Sequence, residues 1–302
     1  MLKTKIRNIE FDSPIIAASG TFGYGDEVKK FVDLSKLGCV ITKSITLEPR
    51  IGNPSPRIFE SESGMINAIG LANLGVKKFC IEKLPALRNI DTNFLISIAG
   101  SNFDDYIKVM EEIENCDGSH VGYEINISCP NVKEGGMEFG VDHEVTLKLT
   151  SELRKLTHKI LIIKLSPNVT SIEKIALAAQ DGGADAVSAV NTFVGMGINY
   201  RTGKMTLSTK FGGVSGPPIK PLALAKIHKI YNEVEIPIIG MGGISNFEDV
   251  VEFIRVGSTM VQVGTLNYRD PSLISKMNDK LKNFLTINKI NNISELIGNY
   301  CE

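Results

Sequence analysis

Short apolar runs recur along the chain, and within each run the hydrophobicity is continuous rather than alternating. They read PIIAAS (14–19), CVITK (39–43), FLISIAG (94–100), VGYEINI (121–127), ILIIKL (160–165), DAVSAV (185–190), IPIIGMGG (236–243) and TMVQVG (259–264). Unbroken runs of this kind suit parallel strands covered on both faces. Between them the period changes. DDYIKVMEEIENC and SIEKIALAAQDGGA place apolar residues at i, i+3 and i+4, and SNFEDVVEFIRVGS opens on a capping Ser or Asn and closes at a glycine. Eight strands alternating with helices, with no linker to divide them, predict one α/β domain, a (β/α)8 barrel over residues 1–302. A doubly wound open sheet is the alternative, and it suits eight such units less well. The opening LKTKIRNIEF predicts a hairpin that closes the barrel bottom.

Two segments break the rhythm. Residues 44–75 insert a long loop after the second strand, and residues 191–218 do the same after the sixth. Loops at strand C-termini build the active site of such barrels, and long ones imply a covered pocket. The strand ends themselves are polar or glycine: Ser19-Gly20, Lys43-Ser44, Ser97, Asn126 followed by Cys129, Lys164, Asn191-Thr192, Gly242-Gly243 and Gly264-Thr265. Lys43 and Lys164 end otherwise apolar strands. Each is either a lysine snorkelling out of the barrel or a cation waiting for an anion. GMGGIS and VGTLNY follow strands seven and eight, where backbone N–H groups of a glycine-rich turn can hold a phosphate. Cys129 stands just past its strand in NISCPN (126–131), as an exposed reactive thiol or an incidental one.

Composition narrows the classes. A length of 302 residues and 43% hydrophobic content suit one large barrel core, and a formal charge of −1 gives no basic excess for nucleic acid. No apolar run reaches the ~18 residues of a membrane span, and MLKTKIRNIEFDSP lacks the apolar stretch of a signal peptide, so a cytoplasmic protein is expected. Cys39, Cys80, Cys116, Cys129 and Cys301 show no zinc or iron–sulfur spacing, and His120, His143, His158 and His228 form no ligand motif. No metal site is expected. His143, His158 and His228 read as structural.

Taken together, ASGTFGYG (18–25), KSITLEPRIGNPSPR (43–57), NAIGLAN (67–73), NISCPN (126–131), KLSPNVT (164–170), NTFVGM (191–196), GGVSGPPIKP (212–221) and IIGMGGI (238–244) resemble class 1 dihydroorotate dehydrogenases nearly end to end. GMINAIGLAN and NVKEGGMEFG are similar to the NAD-linked subtype B rather than the fumarate-linked subtype A. The resemblance implies FMN on the barrel mouth, with Ser19, Lys43, Ser44, Ser97, Asn126, Lys164, Val190, Gly216, Gly242, Gly243, Gly264 and Thr265 at flavin-contacting positions. It implies that dihydroorotate, the substrate, is held by Lys43, Asn67, Ala68, Ile69, Gly70, Leu71, Asn126, Asn191 and Thr192, and that Cys129 is the catalytic base. One departure is Ser97: ISIAG (96–100) stands where the family usually has ANVAG, so serine replaces a flavin-contacting asparagine.

The implied chemistry suits these groups. Dihydroorotate loses a proton from C5 and a hydride from C6, so a thiolate with its pKa near working pH can act as base. The amides of Asn67, Asn126, Asn131 and Asn191 match the donors and acceptors of a pyrimidine ring, although asparagine is also a common turn residue. Lys164 would place positive charge by the flavin N1/C2=O edge, and Lys43 would neutralise the substrate carboxylate. Subtype B further implies a homodimer core in a heterotetramer with a subunit carrying FAD and a 2Fe–2S cluster. Three other readings stand beside this one. They are a dihydropyrimidine-reducing relative, a Schiff-base barrel lyase acting on a phosphorylated substrate, and a non-catalytic scaffold.

Overall fold

The structure, a computed structural model, describes residues 1–128, 133–134, 137–138 and 140–301. Eight parallel strands close into a barrel: β1 (Ile15–Ala17), β2 (Cys39–Ile41), β3 (Phe94–Ile98), β4 (Gly122–Asn126), β5 (Ile160–Lys164), β6 (Ala186–Ala189), β7 (Ile238–Met241) and β8 (Met260–Val263). Each falls inside one of the eight apolar runs. Helices follow where the period shifts to 3.6, among them Phe103–Glu114, His143–Leu156, Ile172–Asp181, Lys220–Tyr231 and Phe247–Arg255. Asn246 caps the last of these by accepting from the Asp249 N–H. The first crossover departs from the expected alternation. Between β1 and β2 the chain forms turns and one 3-10 turn, Leu34–Lys36. Gly20, Gly23 and Gly25 all take positive φ there, which a helix cannot accommodate.

The layers explain the sequence pattern. Ile16, Cys39, Ile41, Leu95, Ile160, Ile162, Ala186, Ile239 and Met260 form a cluster with Ile6 and Phe11 of the N-terminal hairpin. That hairpin, Thr4–Ile6 paired with Ile9–Phe11, therefore plugs one end of the barrel. The intervening strand residues pack outward against the helices in a second, larger core. Side chains alternate along each strand, so the positions two and four beyond the plug face the opposite end. Those positions are Lys43, Ser97, Glu124, Asn126, Lys164, Ser188 and Gln262. Among the described residues no helix is long and apolar enough to cross a membrane.

The two long insertions do not stay separate. Ile58–Glu60 and Met65–Asn67 from the first join Phe193–Gly195 and Gly212–Ser215 from the second in one four-stranded antiparallel sheet. Asn67 pairs with Gly213 in its register, which fixes the start of the 67–71 loop beside the β6 insertion.

Candidate active site

Apart from Cys129, which lies outside the described residues, and Ser97, which lies a layer below, the barrel sets the predicted strand-end residues at one mouth. At the end of β4, Asn126 Oδ1 accepts from Nδ2 of Asn191, just past β6, at 3.3 Å and from the Ser128 N–H at 3.3 Å. Asn191 Oδ1 takes the Thr192 N–H at 2.9 Å. Asn67 Nδ2 reaches the Gly213 carbonyl at 3.4 Å. Among the described residues this leaves Asn126 Nδ2 a free donor and Asn67 Oδ1 a free acceptor. The loop after Asn67 is tied back by its carbonyls: Asn53 donates to Ala68 O at 2.9 Å and to Ile69 O at 3.0 Å, from side chain and backbone in turn. Gly70 and Leu71 turn with positive φ, and the N–H groups of Ile69, Gly70 and Leu71 have no partner among the described residues. Successive free N–H groups of this kind receive anionic oxygens.

Lys43, just past β2, is half-buried, and its ammonium has no hydrogen bond or ion pair among the described residues. Burial pushes its pKa down, and the nearby Arg57 guanidinium pushes the same way against the weaker pull of Glu27. An anion placed between Lys43 and Arg57 would offset both effects. Lys164, at the end of β5, is 7% exposed and sits 3.4 Å from Glu124 Oε1.

At β7 and β8 the backbone is bare. The N–H groups of Gly242, Gly243, Gly264 and Thr265 find no acceptor among the described residues. Gly243 has φ +79°, and a Cβ there would lie 2.8 Å from the Gly216 carbonyl. Gly216 itself has φ +95°, and its own Cβ would meet Gly64 Cα at 3.0 Å and Thr265 Cγ2 at 3.5 Å. Only glycines allow the 212–218 segment to seat on these strand ends, with the free N–H groups beside it. Val190, 2% exposed, follows a cis peptide and bonds through its N–H to Met241 O.

Ser97 is placed one layer down. It has no exposed surface, and its hydroxyl shares a hydrogen bond of 2.8 Å with Ser44, which lies 3.4 Å from the Ser19 hydroxyl. The three serines form a chain of hydroxyls from the barrel interior to the mouth, and Ser97 meets that mouth through Ser44. Cys129 and Asn131 lie outside the described residues. Four polar residues were missed from the sequence: Arg57, Glu124, Ser188 and Gln262. Glu124 and Gln262 carried a signal, since each interrupts an apolar run with a group that needs a buried partner.

The comparisons with known proteins address the same constellation. The chain is 44% identical over 298 residues to the "Dihydroorotate dehydrogenase B (NAD(+)), catalytic subunit" of Bacillus pumilus, covering 99% of this chain and 96% of the relative. Proteins of that same description from Bacteroides thetaiotaomicron and Thermoanaerobacter sp. are 43% and 42% identical over 297 residues, 98% of each chain. The family model described as dihydroorotate dehydrogenase matches residues 1–285, a span that takes in every strand end at the mouth, and the chain belongs to that family.

Proposed function

We propose that this protein is the FMN-binding catalytic subunit of an NAD-linked enzyme that oxidises dihydroorotate to orotate in pyrimidine biosynthesis. What supports the reading is a barrel mouth that carries, among the described residues, two sets of unpartnered donors suited to anions. The free N–H groups of β7 and β8 suit a phosphate, and unpaired Lys43 with the Ile69–Leu71 amides suits a carboxylate. FMN offers the first anion and dihydroorotate the second.

The residues present fit the cofactor. Gly216, Gly242, Gly243, Gly264 and Thr265 would cradle its phosphate, and Ser19, Ser44 and Lys164 would meet its ring. When bound, FMN supplies the two-electron acceptor for the substrate hydride. The chain's own residues do the rest. Lys43 holds the substrate carboxylate, and the free Asn126 donor and Asn67 acceptor match a ring amide and carbonyl, with Asn191 and Thr192 fixing Asn126. Cys129 takes the C5 proton as a thiolate, while the C6 hydride leaves from the other face and the C5–C6 double bond forms.

The term "catalytic subunit" in the relatives' description supports a second subunit. We assign it FAD and a 2Fe–2S cluster, with the electrons passing through it to NAD in a cytoplasmic heterotetramer built on a homodimer of this chain. The depressed Lys43 would also suit an amine nucleophile of a Schiff-base lyase, but the similarity spans the chain with dihydroorotate dehydrogenases. The test is anaerobic addition of dihydroorotate to the purified yellow protein. Bleaching of the flavin, and spectral shifts with orotate but not uracil, are expected. A flavin that stays oxidised overturns the reading.

A further inference from the structure

One charged group in the barrel takes no part in the chemistry above. Glu124 lies two residues before the end of β4 and has no exposed surface. Its Oε2 is clamped by Ser188 Oγ of β6 at 2.9 Å and by Gln262 Nε2 of β8 at 2.5 Å. Its Oε1 accepts no hydrogen bond among the described residues. The only ion pair Glu124 makes among them is to Lys164 Nζ, at 3.4 Å. Register fixes the direction of this pair. Glu124 stands opposite Ile162, and Lys164 stands opposite Asn126, so the carboxylate lies one layer below the ammonium, on the side away from the mouth.

Stability does not account for this arrangement. A buried ion pair is often no more stabilising than apolar side chains of the same volume, and the interior beneath it is a cluster of Ile, Leu, Ala, Met, Phe11 and Cys39. The arrangement does hold a buried lysine in one place, because two strands fix the carboxylate that faces it. It also sets a negative charge behind a positive one. In a poorly polarisable interior both charges act on a ligand at the mouth.

We propose that Glu124 is a positioning residue for the flavin: it anchors the Lys164 ammonium and offsets part of its charge, and so sets how strongly the site stabilises the reduced, negatively charged cofactor. The inference rests on Lys164 facing the flavin, as in the proposed function. The field at the flavin is then a difference between a nearer cation and a farther anion. Removing the anion strengthens it, and removing the cation weakens it. The two substitutions therefore shift the flavin midpoint potential in opposite directions.

The experiment measures that potential, with the melting temperature alongside, in FMN-loaded wild type, Lys164→Met, Glu124→Gln and Glu124→Asp at one slightly acidic pH. Lys164→Met should lower the potential. Glu124→Gln should raise it, so that at a fixed redox poise the ratio of reduced to oxidised flavin grows by about tenfold. Glu124→Asp keeps the charge but withdraws it by one methylene, and should fall between wild type and Glu124→Gln. If Lys164→Met leaves the potential unchanged, the contact between Lys164 and the flavin is wrong and the inference falls with it. If Lys164→Met lowers the potential while Glu124→Gln changes only the melting temperature, or lowers the potential too, the role of Glu124 alone is overturned. Should Glu124→Gln not fold, a Glu124→Asp potential at or below the wild-type value overturns it equally.

Discussion

In the proposed reaction Cys129 and Lys43 would carry opposite halves of the substrate chemistry, so their substitutions should separate. Cys129→Ala removes the base but no anion receptor. Flavin reduction by dihydroorotate in a single turnover should slow roughly 100- to 10,000-fold, with FMN retained. Cys129→Ser should recover part of the rate at high pH, and near-normal reduction in Cys129→Ala would exclude the thiol as base. Lys43→Met should instead weaken orotate by about 10- to 100-fold, the worth of a charge-assisted hydrogen bond. A titration of flavin absorbance reads this directly, and unchanged affinity would make Lys43 a lysine merely snorkelling from its strand. His120 belongs to stability rather than to the site. Its pKa is pushed down to about 4, chiefly by burial and then by the charge of Lys159, and its Nε2 meets the Tyr123 hydroxyl at 2.9 Å. The folded state thus keeps the ring neutral while the unfolded chain takes up a proton below pH ~6.5. Stability should hold above that pH and fall as pH drops toward 4, by about 3 kcal/mol in all. Glu114, held low because bonds from Lys159, Thr157 and Tyr123 outweigh its burial, adds its loss at lower pH still. Melting temperatures of His120→Gln should be lower at neutral pH but nearly flat between pH 6.5 and 4.5; a slope as steep as wild type would remove His120 as the cause.

Strands and turns were legible to different depths. All eight barrel strands follow from unbroken apolar runs, because a strand buried on both faces needs apolar residues on both. The turn after β7 was legible as glycine-rich, but the reason for each glycine came from its neighbours. Gly243 combines φ +79° with a Cβ position 2.8 Å from Gly216 O and 2.9 Å from the Lys220 backbone N. Gly243→Ala should therefore push the 212–218 segment off the strand end, costing about 1–3 kcal/mol and weakening FMN in a binding titration. Gly203, with φ +68° and open space around it, is the control. Alanine there should cost stability through strain alone and leave FMN affinity as it was. Equal losses of FMN at both positions would mean that close packing at Gly243 plays no part. The crossover after β1 was misjudged for a related reason. Gly20 was read for its place at a strand end, and Gly23 and Gly25 only within the ASGTFGYG motif, not for the helix that their positive φ prevents.

For the whole molecule the question is where the electrons go. The purified chain should reduce its own flavin with dihydroorotate yet reduce NAD slowly. Adding the second subunit should restore NAD reduction and give an assembly larger than a dimer. Steady-state NAD reduction by the chain alone, at the rate of its flavin reduction, would contradict a partner. Fast turnover with fumarate would place the protein in subtype A.

The sequence by itself determined the barrel, its plug, its polar mouth and the family. Strand burial, helical period and strand-end chemistry are all local properties of a chain, and the motifs sit within them. Contacts between distant segments were decided only by the tertiary structure. The insertions at 44–75 and 191–218 read as two loops, yet they pair into one sheet that fixes Asn67 against Gly213. Ser97 read as a serine standing in for a flavin-contacting asparagine, and closure of the barrel gives its buried hydroxyl Ser44 as a partner. Glu124 read as part of a core strand, yet Lys164, Ser188 and Gln262 reach it from three other strands. Which side chains meet across the inside of a barrel depends on register and closure, and no stretch of sequence carries either one alone.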